Sequence, residues 1–110
     1  MIRSDRYLTG LGALILVVAA SVYAAQEHAV IQKGKAFSVK RLNVKIGDSV
    51  KFVNEDPYTH NVFSLSDAKS FDLGSHGQGV SRTVSFDKAG TIEVECAVHP
   101  EMRMIVEVSK

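Results

Sequence analysis

The sequence predicts an all-β protein folded as a β-sandwich. Three observations support this: short segments in which apolar and polar residues alternate, turn signals between them, and no long apolar stripe at helical spacing after residue 25. Many short strands separated by polar turns are typical of two packed sheets. The prediction applies to residues 25–110, because the preceding residues have a different composition.

The first half of this region contains three predicted strands. Residues 42–46 place apolar side chains at every second position, and Gly47-Asp48 marks a turn. Residues 50–54 continue the alternation, and 61–65 form another β-prone run. Their even spacing favours neighbouring strands in one sandwich.

The second half predicts three more strands. Residues 80–86 alternate, but Arg82 falls on the apolar side, which indicates an edge strand or one with a solvated end. A turn at 87–90 leads into 92–96, whose Ile, Val and Cys residues point one way. Residues 104–108 form the last strand.

The segment between the two halves differs from them in composition. Residues 66–79 are rich in glycine and polar residues, which predicts a loop with one helical turn at 67–69. His76 in this segment is interpreted as a solvated loop histidine, because no cysteine or other histidine is adjacent. His28 is expected to lie in a disordered terminus.

The N-terminal residues have the order of a secretory signal peptide. Arg3 and Arg6 precede an uncharged apolar stretch, 8–22, and Ala24 ends a small-residue cleavage motif. We therefore predict a signal peptide over 1–24, a single domain over 25–110 and a periplasmic location. The alternative is an uncleaved anchor, although the stretch is shorter than the roughly 20 residues of a membrane span. After cleavage, no membrane insertion is expected.

Composition excludes several classes of protein. With 110 residues and 12.0 kDa, there is room for one domain. A formal net charge of +1 is not the basic excess of a nucleic-acid-binding protein, so no nucleic-acid partner is expected. A single cysteine rules out an internal disulfide framework.

One group of residues carries the candidate chemistry: His60, Cys96, His99 and Met102. By strand parity the Cys96 sulfur points inward, and the following Cys-x-x-His-x-x-Met loop can return three side chains toward one point. Pro100 biases His99 toward an extended conformation. His60 begins its own strand, and strand ends meet at one end of a small sandwich.

These residue types indicate copper. A cysteine and two histidines with a weak axial methionine are the ligands of a blue-copper electron-transfer site. Zinc gains little from methionine, and calcium and magnesium prefer oxygen ligands. Taken singly, each residue also fits a structural role, and a metal-free interaction domain with a buried structural cysteine is the alternative.

Two stretches resemble a known family. The run 43–56 followed by His60-Asn61-Val62, and the run 86–91 followed by 96–103, are similar to the two halves of the plastocyanin and amicyanin group of cupredoxins. The short Cys-Ala-Val-His-Pro-Glu-Met-Arg loop is most similar to amicyanin. The resemblance covers nearly all of the chain after the predicted leader.

The resemblance implies a Greek-key sandwich with one type 1 copper ion. His60, Cys96 and His99 would be the equatorial ligands and Met102 the axial one. Met104 is the alternative axial residue, although strand parity assigns it to packing. In the family a hydroxyl residue often follows the cysteine, but Ala97 stands here, so a familiar side-chain link from Asn61 is expected to be missing.

The function implied is single-electron transfer. We expect a monomer that docks transiently with redox proteins near His99, through a patch that includes Pro57 and Tyr58. Copper storage or delivery by the same ligands is the alternative, although no Met-rich or His-rich tract is present. An enzyme is not expected, because copper enzymes of this fold need further copper sites and domains.

Overall fold

The computed structural model describes Gly12 and residues 22–110, and over this part of the chain it is an all-β sandwich. The predicted signal peptide lies almost entirely outside the described residues. The strands are β1 (Glu27–Gln32), β2 (Arg41–Lys45), β3 (Ser49–Asn54), β4 (His60–Ser66), β5 (Lys69–His76), β6 (Ser81–Ser85), β7 (Gly90–Glu95) and β8 (Arg103–Ser109). The described residues include no helix long and apolar enough to cross a membrane.

Two sheets face each other. One has the order β1-β3-β6 and the other β2-β8-β7-β4-β5. The β1–β3 and β2–β8 pairs are parallel, and the other strand pairs are antiparallel. The strands of each parallel pair are not consecutive in the chain, so the connections between them cross over. Such crossed connections are those of a Greek-key sandwich, as expected.

The core follows the alternation that the sequence displays. Apolar side chains of both sheets point inward and are almost fully buried, among them Phe52, Phe86, Ile92, Val94 and Val106. The turn at Gly47 has φ 98°, a conformation that glycine adopts without steric cost. The predicted edge position of β6, the strand that carries Arg82, is confirmed.

The expected loop over 66–79 is wrong over most of its length. Lys69–His76 forms strand β5, which pairs antiparallel with β4, and the expected helical turn is a tight turn between these strands. Phe71 and Leu73 alternate on β5 and pack against the core. The neighbouring strand satisfies the backbone of a segment whose own composition favours a loop.

The expected disorder around His28 is also wrong. Glu27–Gln32 forms β1, which pairs in parallel with β3. Val30 and Gln32 on this strand are fully buried. A buried valine and a buried glutamine two residues apart are too weak a pattern to mark a strand in the sequence.

Candidate metal centre

Three predicted site residues converge at one end of the sandwich, here called the site end. His60 is the first residue of β4, Cys96 directly follows β7, and His99 lies in the loop that leads to β8. Because β4 and β7 are neighbours in one sheet, the start of one lies beside the end of the other. One ligand atom from each of the three residues lies within 4.8 Å of the others.

The spacing of these atoms fits a shared first-row metal ion. The Nδ1 atoms of His60 and His99 are 3.2 Å apart, and Cys96 Sγ is 3.8 Å from His60 Nδ1. With bond lengths of about 2.0 Å to nitrogen and 2.3 Å to sulfur, ligands of one ion are separated by about 3–4 Å. A thiol and two imidazoles also form the mixed soft set that suits copper.

Three of the four candidate ligands are shielded from water. His60 has no exposed surface, and Cys96 and Met102 are each 1% exposed, whereas His99 is only half-buried. The backbone N–H of Met102 donates to the carbonyl of His99 at 2.9 Å, which closes the loop into a turn. The loop therefore returns Met102 to the interior just after His99 reaches the surface.

The two methionines occupy different parts of the fold. Met102 lies in the loop before β8, whereas Met104 lies within β8 and pairs in register with Val94 of β7. Both side chains are buried, and both belong to the apolar core. Met104 thus has the core position that strand parity predicts.

Asp56 is a functional residue that sequence reasoning missed. The Nε2–H of His60 donates to Asp56 Oδ2 at 2.7 Å, and the backbone N–H groups of Gly34 and Lys35 donate to the two carboxylate oxygens at 2.8 and 3.1 Å. Burial alone would raise the pKa of Asp56, but the His60 ring and these two backbone donors lower it to about 2. The ionised carboxylate therefore holds the proton on Nε2 and leaves Nδ1 free to face a metal.

Asn54 holds the loop that carries Asp56. Its Oδ1 accepts from the backbone N–H of Asp56 at 2.8 Å, and its Nδ2 donates to the carbonyls of Tyr58 and His76 at 2.8 and 3.0 Å. The side chain is fully buried. It therefore joins the end of β3 to β5 and fixes the loop in front of His60. Both residues lie at the end of the run 43–56 that resembles the family, but that resemblance did not mark either of them as a support for His60.

Asn61 connects the two strands at the site, although Ala97 has no side-chain hydroxyl to bond it. Its Oδ1 accepts from the backbone N–H of Ala97 at 2.7 Å, and so links the start of β4 to the residue after Cys96. Ala97 has no side-chain hydroxyl to bond Asn61, as expected from the sequence, but its backbone N–H makes the connection instead. Any residue except proline supplies this donor.

His76 is not the solvated loop histidine that the sequence suggested. It ends β5, is 3% exposed, and lies opposite His60 in the β4–β5 register. Its Nε2 is 2.6 Å from Gln32 Oε1, and burial lowers the pKa of the ring, which keeps it neutral. His76 is thus a buried structural residue next to the site, outside the cluster of three ligand atoms.

The surface around His99 is mostly apolar, with the Lys35 ammonium 5.7 Å from the Tyr58 ring centroid and Glu101 exposed at its edge. Val98 is 56% exposed and Tyr58 is 36% exposed, and Pro57, Ala97 and Pro100 are exposed beside them. The Tyr58 ring lies 5.4 Å from the His99 ring between centroids. These five residues, here called the His99 patch, surround the one proposed ligand that reaches the surface.

Comparisons with known proteins agree with this architecture. Residues 24–109 match the family described as copper binding proteins, plastocyanin/azurin family. The methylamine utilization protein MauL of Methylorubrum extorquens is 29% identical over 69 residues, which span 62% of this chain and 60% of MauL.

Two solved structures show the same fold. A Cu(I) amicyanin variant with a methionine-to-alanine change superposes with a TM-score of 0.70 at 26% identity, over 82% of this chain and 88% of amicyanin. The Cu-containing nitrite reductase NirK from Thermus scotoductus has a TM-score of 0.73 at 26% identity, over 84% of this chain but only 24% of the reductase.

The sandwich and its histidine–cysteine cluster define a cupredoxin. The chain belongs to the copper-binding proteins of the plastocyanin/azurin family, and copper is its cofactor.

Replacing Asp56 with asparagine tests the carboxylate behind His60. Asp56→Asn is expected to weaken copper binding about 10–100-fold, because the hydrogen-bond partner of a metal-binding histidine orients the ring and raises its basicity. Competition with a chelator of known affinity measures the effect. Asp87→Asn removes a carboxylate that is 82% exposed and serves as the control. Equal affinities for Asp56→Asn and the wild type would contradict this role.

Proposed function

We propose that this protein carries single electrons between redox proteins, with copper held by His60, Cys96, His99 and Met102. The observation that supports this most strongly is the buried Cys96 sulfur beside two imidazole Nδ1 atoms that face each other at 3.2 Å. Bound copper supplies the redox chemistry, since it alternates between Cu(I) and Cu(II).

The protein's own residues keep the site rigid. Asp56 fixes the ring of His60, Asn54 fixes the loop around Asp56, and Asn61 ties Ala97 to β4. Because these contacts come from residues outside the proposed ligand set, they hold the ligands in place, and little rearrangement is needed when the oxidation state changes. A rigid site of this kind favours electron transfer over the release of copper.

The route for the electron leads through His99. Of the four proposed ligands, His60, Cys96 and Met102 have almost no exposed surface, whereas His99 is half-buried. The His99 patch surrounds its ring with exposed apolar side chains. A redox partner that docks there excludes water from the patch. It also comes closest to the copper ligands at His99. Contacts of this class are typically small, below about 1,200 Å², which allows rapid release.

Export to the periplasm and a monomeric state complete the proposal. The signal-peptide pattern of residues 1–24 supports export, and the closed core supports a domain that folds as a single copy. A non-enzymatic role is supported by the likeness to amicyanin, of which the match spans 88%, whereas the match to nitrite reductase spans only 24% of that enzyme.

Spectroscopy and voltammetry test the proposed function together. The oxidised, copper-loaded protein is expected to be blue, from charge transfer between the Cys96 thiolate and copper, and to show a reversible one-electron couple. A protein that delivers copper would instead lose Cu(I) rapidly to a chelator. A colourless copper complex, or loss of copper on each reduction, would overturn the proposal.

The axial position is tested by exchanging each methionine. Met102→Gln or Met102→Leu is expected to shift both the reduction potential and the spectrum, because the weak axial bond mainly tunes the potential. Met104→Leu is close to volume-conserving, and is expected to cost less than about 1.5 kcal/mol of unfolding free energy with the spectrum nearly unchanged. The opposite pattern would assign Met104 as the axial ligand.

A further inference from the structure

A second buried carboxylate lies at the other end of the sandwich. Asp48 occupies the turn between β2 and β3 and is 1% exposed. β3 runs from this turn to Asn54, behind His60, so Asp48 and the site end are separated by the length of that strand, about 17 Å. Asp48 thus has no part in the metal centre.

Most donors to Asp48 come from the N-terminal segment. The Tyr23 hydroxyl donates to both carboxylate oxygens at 2.8 and 3.1 Å, the backbone N–H of Gln26 donates at 2.9 Å, and His28 Nε2 lies 2.9 Å from Oδ2. The backbone N–H of Lys45 donates at 3.0 Å. The carboxylate therefore joins the turn at its own position to the residues that precede and begin β1.

The charge on Asp48 is maintained by these contacts. The backbone N–H of Lys45 lowers its pKa, burial raises it, and Gln26, His28 and Tyr23 lower it further, so that the pKa lies well below the usual range. The Lys45 ammonium also lies over the Tyr23 ring, 4.8 Å from its centroid. Asp48 is therefore a fixed negative charge facing the start of the folded domain.

We propose that Asp48 is the binding site for the amino terminus of the processed chain. Hydrolysis of the Ala24–Ala25 peptide bond by a signal-peptidase-type protease consumes one water molecule. It leaves a carboxylate on Ala24, which departs with Tyr23, and an amine on Ala25, which is protonated at neutral pH. Processing thus exchanges a neutral phenol donor for an ammonium group at the same buried carboxylate.

The position of Ala25 supports this exchange. Its nitrogen is one residue from the Gln26 N–H that donates to Asp48 Oδ1 at 2.9 Å. Its Cβ also lies 3.8 Å from a Cβ built on Gly47, the residue next to Asp48. A new amine at Ala25 therefore forms within a few ångströms of the carboxylate, where a hydrogen bond with charge on both groups is stronger than the bond from the neutral phenol that it replaces.

The exchange gives the processed protein its own pH dependence. An α-amine has an ordinary pKa of about 7.7–8.0, and a carboxylate beside it raises that pKa in the folded state. The added stability is fully present below about pH 7.7 and is lost as the pH rises through the raised value. Among the described residues, the other titratable groups that contact Asp48 are Tyr23 and His28, with Lys45 stacked on Tyr23. Tyr23 is absent after processing.

The test follows the α-amine itself. The full chain is exported from a bacterial host, loaded with copper and weighed by mass spectrometry, with Ala25 expected as its first residue. The α-amine pKa is then measured from the pH dependence of its acylation rate, in the native protein and in denaturant. We expect the native pKa to be higher by about one unit or more. Because this comparison uses only wild-type protein, it does not depend on the folding of a variant.

Two variants complete the test. In Asp48→Asn the native shift is expected to disappear, and in Asp87→Asn, which changes an exposed carboxylate, it is expected to remain. A processed chain that begins at another residue, equal native and denatured pKa values, or an unchanged shift in folded Asp48→Asn would each overturn the proposal. None of these results depends on which residues bind copper.

Discussion

Replacing Cys96 with serine or alanine is expected to abolish the blue colour and the reversible redox couple. The reason is that only the thiolate provides a strongly covalent bond to copper, and the described residues contain no other cysteine. The fold is expected to survive, because the core rests on apolar residues from both sheets. Absorption spectroscopy of the copper-loaded variants measures the first effect, and far-ultraviolet circular dichroism measures the second.

The two replacements at Cys96 serve different purposes. Serine preserves the size of the side chain and offers an oxygen, whereas alanine offers no ligand atom. Loss of colour in both variants with an unchanged β spectrum separates the loss of the ligand from the loss of the fold. A blue colour in either folded variant would contradict Cys96 as the thiolate ligand.

Replacing His60 with alanine is expected to remove most of the stability that copper adds. Metal that binds only the native state stabilises it by about 2.7 kcal/mol when the free metal is 100 times the Kd. For a domain of this size, that corresponds to a rise in Tm of about 10–20 °C. His60 is the only proposed ligand from the first half of residues 25–110, so without it copper no longer joins β4 to the loop before β8. Calorimetry with and without copper measures the two shifts.

The control for His60 is a histidine at the other end of the sandwich. His28 contacts Asp48, so His28→Ala is expected to lower the Tm of the apoprotein while the copper-induced rise stays as in the wild type. His76 is unsuitable, because it is buried beside the site and its loss disturbs β5. An equal copper-induced rise in His60→Ala and the wild type would exclude His60 as a ligand.

Alternation along single strands predicted the part of the site that lies closest to the core. Ile92, Val94 and Cys96 share a face in the sequence, and all three are buried in the structure. The same reasoning placed Met104 on the inner face of β8. A side-chain period of two is a local property of an extended chain, so it can be read without knowledge of the partner strands.

Positions that depend on a partner strand were predicted poorly. The segment with Gly74 and Gly77 looks like a loop, yet most of it forms β5 because β4 offers its backbone groups for pairing. This pairing carries His76 into the interior next to Gln32 of β1. Propensity favours the opposite result for such a segment, and tertiary context overrides it.

The sequence by itself determined the all-β class, the two matching halves of a cupredoxin and the group of His60, Cys96, His99 and Met102, because alternation and loop spacing are local. Only the tertiary structure decided what surrounds that group and what holds residues 23–28. Asp56 supports His60 because Gly34 and Lys35 reach it from another loop, and Asp48 meets Tyr23 because β1 lies beside β3. A buried carboxylate needs several donors at once, and in this fold most of them come from segments about 20 residues or more away.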